Sequence, residues 1–517
     1  MIEHPHLLEI KDLCLGFPGR KGSYTKVLKN LNINVRNGEL LGIIGNSGSG
    51  KSITSLAVTG LLPREAEITG GEIIFNGQDL LKMKAKDRRK LLGKEIGIVF
   101  QEPQTALDPL MRVGKNLEEI LESHGVTDKA ERKKKILEML ERVNFPDPEL
   151  IYDRYPHQLS GGQRQRILIA GAALLSPKLL ICDEVTSALD TVTTIEVLDL
   201  LRSLCFDMKI TILFISHDLS AVENFCDRVM VMRDGQIIDC DNTYDILHTP
   251  KNSFTAQLLE NASLDPRTLN LVTADCDYTR SPVMIGRNIS VSYDRTPVIP
   301  SLDLEIFPRE ILGLIGSSGC GKTTLTKAIC GLLHFNGSID LKGKRPGTVF
   351  QDPVSCLNPS HTVKWHMNEA LRASSNKDSK DEQDKLIGSV LDEVGLTAEY
   401  LGRYPDELSG GQRQRVAIGM CLIAQPELII ADEPFSSLDA TSAAEILKLL
   451  AKINRERGVA ILLISHNLHI VRALCKRTIV MDSGRIAEEG MTKEIMDHPQ
   501  SDAARRLLEA EKKLHGQ

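Results

Sequence analysis

The chain has 517 residues, 42% of them apolar, more than a single core organises, so several domains are expected, each able to bury a core of its own. A net charge of −6 excludes the basic footprint of a nucleic-acid binder, and Arg132-Lys133-Lys134-Lys135 reads as one solvated helix face. No apolar run reaches the ~18 residues of a membrane span, and the 11 cysteines, scattered without a C-x-x-C pair, favour a reducing compartment, with Cys182, Cys330 and Cys421 expected as buried thiols. The first strong element in chain order is an apolar strand, Leu40 to Ile44. It runs into Gly45-Asn46-Ser47-Gly48-Ser49-Gly50-Lys51-Ser52 and then into a stretch that can be helical. The glycines let backbone N–H groups turn inward around phosphate oxygens at a positive helix N-terminus. Lys51 reaches the β- and γ-phosphates of a nucleoside triphosphate, and the Ser52 hydroxyl is a ligand for Mg²⁺.

Downstream, Ile98-Val99-Phe100 ends in Gln101. Next comes Leu159-Ser160-Gly161-Gly162-Gln163-Arg164-Gln165-Arg166, ahead of an apolar run that predicts a helix. A further apolar strand ends in Asp183-Glu184, followed by Ser187-Ala188-Leu189-Asp190, and Ile215-Ser216-His217 closes another. The half finishes in His248-Thr249-Pro250 and a short Leu-Leu helix reaching Glu260. From Ala262 to Pro282 the chain is polar and aperiodic, which reads as an extended, solvent-exposed tether.

The same series then returns. Ile311 to Ile315 leads into Gly316-Ser317-Ser318-Gly319-Cys320-Gly321-Lys322-Thr323. Gln351 follows Thr348-Val349-Phe350, and Leu408-Ser409-Gly410-Gly411-Gln412-Arg413-Gln414-Arg415 follows that. Asp432-Glu433, Ser436-Ser437-Leu438-Asp439 and His466 complete the repeat. The interval from Ser160 to Asp183 equals that from Ser409 to Asp432, and the interval from Asp183 to His217 equals that from Asp432 to His466. One duplicated α/β domain therefore fills nearly the whole chain, at 6–261 and 283–510, with 262–282 between.

Phosphate loop, Gln, Leu-Ser-Gly-Gly-Gln, Asp-Glu and His, in that order and twice, resemble the ATP-binding-cassette family. The resemblance implies two tandem P-loop ATPase domains, each a RecA-like core with an antiparallel β subdomain and a helical signature subdomain. It also implies a head-to-tail arrangement in which each ATP lies between the phosphate loop of one half and the signature of the other. Pro63 to Lys94 looks like the small antiparallel β subdomain beside the adenine. Its shortened counterpart between Gly316 and Gln351 implies a trimmed arm in the second half.

Residue chemistry supports the roles that the resemblance implies. Ser160 and Ser409 sit at helix N-caps, where a hydroxyl, exposed N–H groups and the helix dipole face an anion. A capped helix alone accounts for the serine but not for Gly161, Gly162 and Gln163, or for Gly410, Gly411 and Gln412. Asp183 and Asp432 can hold Mg²⁺ through water, while Glu184 and Glu433 point the other way along the strand toward an attacking water. Gln101 and Gln351 have the reach to touch both Mg²⁺ and that water, and the family places a subunit-coupling loop there. His217 and His466 can bond the γ-phosphate and the water. Phe17 and Tyr293 are placed to stack on adenine. Val185 and Phe435 stand where the family commonly has Pro and Thr, and neither site has lost a chemical group.

Leu107-Asp108-Pro109 and Leu357-Asn358-Pro359 after each Gln, Arg154-Tyr155-Pro156 and Arg403-Tyr404-Pro405 before each signature, and the His-Pro tails (the second from His498-Pro499 to Glu509) resemble the oligopeptide, dipeptide and nickel importer branch. That branch implies an energy-coupling ATPase for peptides, with nickel or a metal chelate as the alternative cargo. It also implies two transmembrane permease subunits and an extracytoplasmic substrate-binding protein as partners, with no nucleic acid. The expected place is peripheral, at the cytoplasmic face of the membrane, in keeping with a Met1–His6 start that lacks signal-peptide features. Only Cys276 follows the first tail, so no iron–sulfur cluster is expected. A soluble twin-cassette translation factor would carry a long charged helical insert, which this chain lacks.

Overall fold

A computed structural model describes residues 6–19, 24–100, 106–187, 189–264, 266, 269, 271–293, 296–350, 356–374, 379–435 and 438–514. Gln101 and Gln351 lie outside the described residues. Two compact units divide the chain: Met1–Leu189, Thr193–Leu259 and Lys513–Gln517 form one, and Asp190–Val192 and Glu260–Lys512 the other.

In the first unit, β1 (His6–Pro18), β2 (Tyr24–Arg36), β3 (Leu40–Ile44), β4 (Glu67–Phe75), β5 (Gln78–Asp79), β6 (Ile96–Val99), β7 (Leu179–Asp183), β8 (Thr211–Ile215), β9 (Arg228–Arg233) and β10 (Gln236–Asn242) make two sheets. The larger has the order β10-β9-β3-β8-β7-β6, parallel except for the β9–β10 edge. Its inner strands β3, β7 and β8 are buried along their whole length. A parallel strand covered on both faces has no polar side to show, hence the continuous apolar runs. The smaller sheet is antiparallel, in the order β2-β1-β4-β5. The expectation that 63–94 is this subdomain is therefore corrected: the segment supplies only β4, β5 and the helix Ala85–Leu91, and most of the sheet is made by β1 and β2, which pair along nearly their whole length ahead of the phosphate loop.

The second unit repeats the plan with β11 (Met284–Tyr293), β12 (Thr296–Ile306), β13 (Ile311–Ile315), β14 (Asn336–Leu341), β15 (Gly347–Val349), β16 (Leu428–Asp432), β17 (Ala460–Ile464), β18 (Arg477–Asp482) and β19 (Arg485–Met491). The large sheet runs β15-β16-β17-β13-β18-β19, and the small one is β12-β11-β14. Among the described residues nothing corresponds to β5 or to the helix Ala85–Leu91, so the arm is trimmed as the shorter interval suggests.

Register decides where the motifs meet. Ile43 and Asp183 both lie opposite Ile215, and Leu314 and Asp432 both lie opposite Ile464. The strands that end in phosphate loop, Asp-Glu and His therefore finish together at one carboxyl edge, where ligands of open α/β sheets bind.

Two further expectations are corrected. The segment after the first half is not a solvent-exposed tether: Leu264 and Leu269 are buried in the core of the second unit, Leu271 packs against it, and Ala274 is 5% exposed. Short apolar residues spaced irregularly give no helical or strand period, so the sequence pattern concealed this packing. Cys182 and Cys421 are buried, whereas Cys330 is only half-buried, because it caps the C-terminal end of the helix Lys322–Ile329.

Candidate nucleotide site

Each phosphate loop starts on a glycine that no other residue could replace without a shift. Gly45 has φ 151°, and a Cβ there would stand 2.1 Å from the Met232 carbonyl oxygen. Gly316 has φ 156°, with the Met481 carbonyl at 2.3 Å. These are left-handed conformations with backbone pressed against the glycine, and only glycine meets both conditions. The loops then curl around their lysines. Lys51 Nζ donates to the carbonyls of Gly45 at 2.7 Å and Asn46 at 3.0 Å. Lys322 Nζ donates to Gly316 at 2.7 Å and Ser317 at 3.0 Å. Both ammonium groups are buried, each fixed inside its loop by two backbone carbonyls. Ser49 Oγ, 5% exposed, finds no partner among the described residues, as suits a hydroxyl that awaits an anion.

The aspartates face the loop helices. Ser52 Oγ donates to Asp183 Oδ1 at 3.2 Å, and Ser55 Oγ to Oδ2 at 3.1 Å. Burial raises the Asp183 pKa, the two hydroxyl bonds oppose that, and the adjacent Glu184 charge adds to the rise. Asp432 meets Thr323 and Thr326 in the same way, and its pKa also rises, with burial the largest cause. Hydroxyl and carboxylate oxygens side by side form a hard donor set suited to a divalent cation. Ser55 and Thr326 escaped the sequence reading; their signal was a second hydroxyl one helical turn after Ser52 and Thr323.

The glutamates lie one residue beyond the strand ends, so the strand alternation expected from the sequence does not place them. Glu184 and Glu433 adopt φ 52° and 46°, a left-handed backbone uncommon outside glycine and held only where surroundings dictate it. Their N–H groups donate to Ile215 and Ile464 at 2.8 and 3.0 Å, which pins each glutamate at its strand end. Glu184 then lies 3.4 Å from His217 Nδ1, and Glu433 3.4 Å from His466 Nδ1. This direct pairing was not read from the sequence, because it depends on how far each strand extends past its neighbour.

The pair shifts both partners. Burial pushes the Glu184 pKa upward, but the His217 bond and charge outweigh it, so the net direction is down. For His217, burial pushes down and Glu184 overrides it, so the net direction is up. Glu433 and His466 behave alike. A lowered carboxyl stabilises the fold above its unfolded pKa of ~4.3, and a raised imidazole does so below its unfolded pKa of ~6.5. The pair contribution is therefore full between about pH 4.5 and 6.5 and fades as pH rises through the folded imidazole value. His217→Gln is expected to lower the melting temperature of its unit by roughly 2–8 °C near pH 6 and by less at pH 8.5. An equal loss at both pH values in scanning calorimetry would refute the charged pair.

The signature helices Gly161–Ala173 and Gly410–Ile423 begin with closed capping boxes. Ser160 Oγ accepts from the Gln163 N–H at 3.2 Å, and Gln163 Oε1 accepts from the Ser160 N–H at 3.1 Å. Ser409 and Gln412 match at 3.3 and 3.0 Å. Gln163 and Gln412 thus have a capping role that the sequence reading did not give them. Gly162 is needed for packing, since its Cβ would meet Thr193 Cγ2 at 2.4 Å; Gly161 faces open space. Each serine hydroxyl keeps its hydrogen to donate outward.

Phe17 is half-buried against the core of its unit, whereas Tyr293 is 45% exposed at the β11–β12 turn. The two stacking candidates do not stand in equivalent surroundings. No helix among the described residues is long and apolar enough to cross a membrane.

Comparison with known proteins finds relatives along nearly the whole chain. A profile of the ABC transporter family matches residues 28–187 and 299–436. The chain is 36% identical, over 98% of its length and 96% of the relative's, to a peptidoglycan transport ATP-binding protein, YejF, of Agrobacterium fabrum. It is 34% identical, over 99% of its length and 90% of the relative's, to a glutathione import ATP-binding protein, GsiA, of Pectobacterium atrosepticum. A dimeric bacterial ABC transporter cassette covers 46% of the chain at 29% identity and a TM-score of 0.42, with 98% of that cassette matched.

Proposed function

The chain belongs to the ABC transporter family, and from that premise we propose that it is the ATP-hydrolysing subunit of an importer for short peptides. The carrying observation is that both halves hold a complete set of groups: a buried lysine inside its phosphate loop, an aspartate on two hydroxyls, a glutamate paired with a histidine, and a capped signature helix. Neither half is degraded, so both are expected to turn over. The relatives support this cargo class: one is named for glutathione, a tripeptide, and the other for peptidoglycan, whose stems are short peptides.

Lys51 and Lys322 bind the β- and γ-phosphates and hold the transferred group in place. Ser52 with Asp183, and Thr323 with Asp432, would hold Mg²⁺, which offsets negative charge on the phosphates when bound. Gln101 and Gln351 are assigned to the same coordination and to coupling with the permease subunits. Glu184 and Glu433, ionised at neutral pH, take the proton of the attacking water, and His217 and His466 orient that carboxylate and the γ-phosphate. Ser160 and Ser409 donate to the phosphates of the nucleotide bound by the other half's loop, as the family resemblance implies. Phe17 and Tyr293 are assigned to the adenine ring. The partners are two membrane permease subunits and an extracytoplasmic binding protein, which places this chain at the cytoplasmic face of the membrane.

Reconstitution tests the proposal. Co-expressed with its two permease subunits, the chain is expected to purify as one copy per complex. In liposomes with the binding protein, the complex should take up di- and oligopeptides only when ATP is supplied on this chain's side. Uptake of a nickel chelate but no peptide would overturn the cargo assignment, and association with ribosomes or two copies per complex would overturn the transporter assignment.

A further inference from the structure

Between its two repeats the chain has a segment with no counterpart in the duplication, and that segment is fastened to the second unit at several points. Leu264 and Leu269 are buried in its core and Leu271 packs against it. The Ala274 N–H donates to Asn454 Oδ1 at 2.8 Å. Asp275 pairs with Lys476 at 2.8 Å, and the Tyr278 ring meets Phe307 edge-on at 5.3 Å. Arg477, itself bonded to Glu310 at 2.8 Å, lies over both rings.

Asn454 is the centre of this attachment. It is fully buried near the end of the helix Ala440–Arg457. Its Nδ2 donates to the carbonyls of Arg309 at 2.9 Å and Val459 at 3.0 Å. The two amide hydrogens and the amide oxygen are thus spent on three backbone segments: the turn before β13, the approach to β17, and the inter-repeat chain. A buried primary amide is costly unless each of its groups is satisfied, and here the acceptor is satisfied only by Ala274 among the described residues. In the first half, the matching position of the helix Thr191–Met208 is Cys205, and the turn before β3 is tied instead by a bond from the Gly38 N–H to Thr211 Oγ1 at 2.9 Å. The two halves therefore close the same corner by different means, and among the described residues only the second brings inter-repeat chain to it.

We propose that the described residues between Leu264 and Ser281 form a strap belonging to the second nucleotide-binding unit, locked by Asn454 and stabilising the strand β13 that delivers the second phosphate loop. The strap is a part of that unit's fold and not an interchangeable spacer. This follows from the packing and does not depend on what the protein transports.

The test uses the full chain with 264–281 replaced by glycine and serine at equal length, with and without Asn454→Ala. Strap replacement is expected to lower the melting temperature of the second unit by roughly 4–10 °C, from the loss of buried apolar contacts and of the amide bond. Amide hydrogen exchange should rise at least about tenfold in β13 and β17 while β3 and β8 keep their protection. Asn454→Ala should cost less in the replaced chain than in the intact one, because without the buried leucines the backbone N–H at position 274 is no longer held against Asn454 Oδ1. Unchanged melting and exchange on replacement would overturn the strap, and so would strictly additive effects of the two changes. If the replaced chain fails to fold, Asn454→Ala alone in the intact chain decides. Selective loss of protection at Ala274 and in β13 supports the strap, and loss spread equally over both units refutes it.

Discussion

Glu184→Gln combined with Glu433→Gln is expected to leave ATP bound at both sites and to slow hydrolysis by roughly 10²–10⁴-fold, the range for removal of a general base. Glutamine keeps the shape and an oxygen for the histidine, so the contacts at 3.4 Å in each half and the left-handed backbone need not change. What disappears is the proton acceptor. The phosphate-binding groups, Lys51 and Lys322 inside their loops, are untouched, which is why affinity should survive while turnover does not. Single-turnover hydrolysis and filter-retained nucleotide measure the two effects separately. Near wild-type hydrolysis in the double variant would show that these glutamates are not the bases.

Lys51→Ala is expected to remove one of two retained nucleotides per chain under non-hydrolysing conditions. It deletes a charge-assisted phosphate contact and leaves the Gly45 and Asn46 carbonyls without their donor. A loss of ~1.5–3 kcal/mol, about 10–150-fold in affinity, follows from a single contact of that kind. The second substitution decides how loops and signatures are matched. With Ser409→Arg the loss should stay confined to the same site, so about one nucleotide remains. With Ser160→Arg both sites should suffer, although both changes then lie in the first half. Either arginine must break a capping box, a local cost shared by both combinations, so the contrast between them isolates the matching. The opposite ranking would mean that each half completes its own site or that two chains must associate.

Motif identity and order were legible from the sequence because phosphate chemistry constrains backbone as well as side chains. A cradle that presses Gly45 against the Met232 carbonyl admits no other residue, so the need leaves a visible glycine. Fully buried parallel strands leave equally visible apolar runs, as in β3, β7, β8 and their counterparts. Duplication and constant intervals from Ser160 to His217 and from Ser409 to His466 then implied two equivalent α/β units.

Contacts between residues distant in sequence were decided only by the tertiary structure. The Glu184–His217 and Glu433–His466 pairs depend on the register of β7 against β8 and of β16 against β17, and a shift of one residue would turn those side chains to the other face. Ser55 and Thr326 became part of the site because a helix brings the next turn's hydroxyl beneath the same carboxylate. The segment read as a tether became a strap for a similar reason. Its polar, aperiodic sequence carries no signature of burial, and the residue that holds it, Asn454, lies far along the chain in a helix. Sequence patterns report what each segment needs from its own backbone and from an apolar interior. Which surface a segment without period settles on is a property of the folded partner, and here a fully buried amide, whose oxygen takes the Ala274 N–H, supplied it.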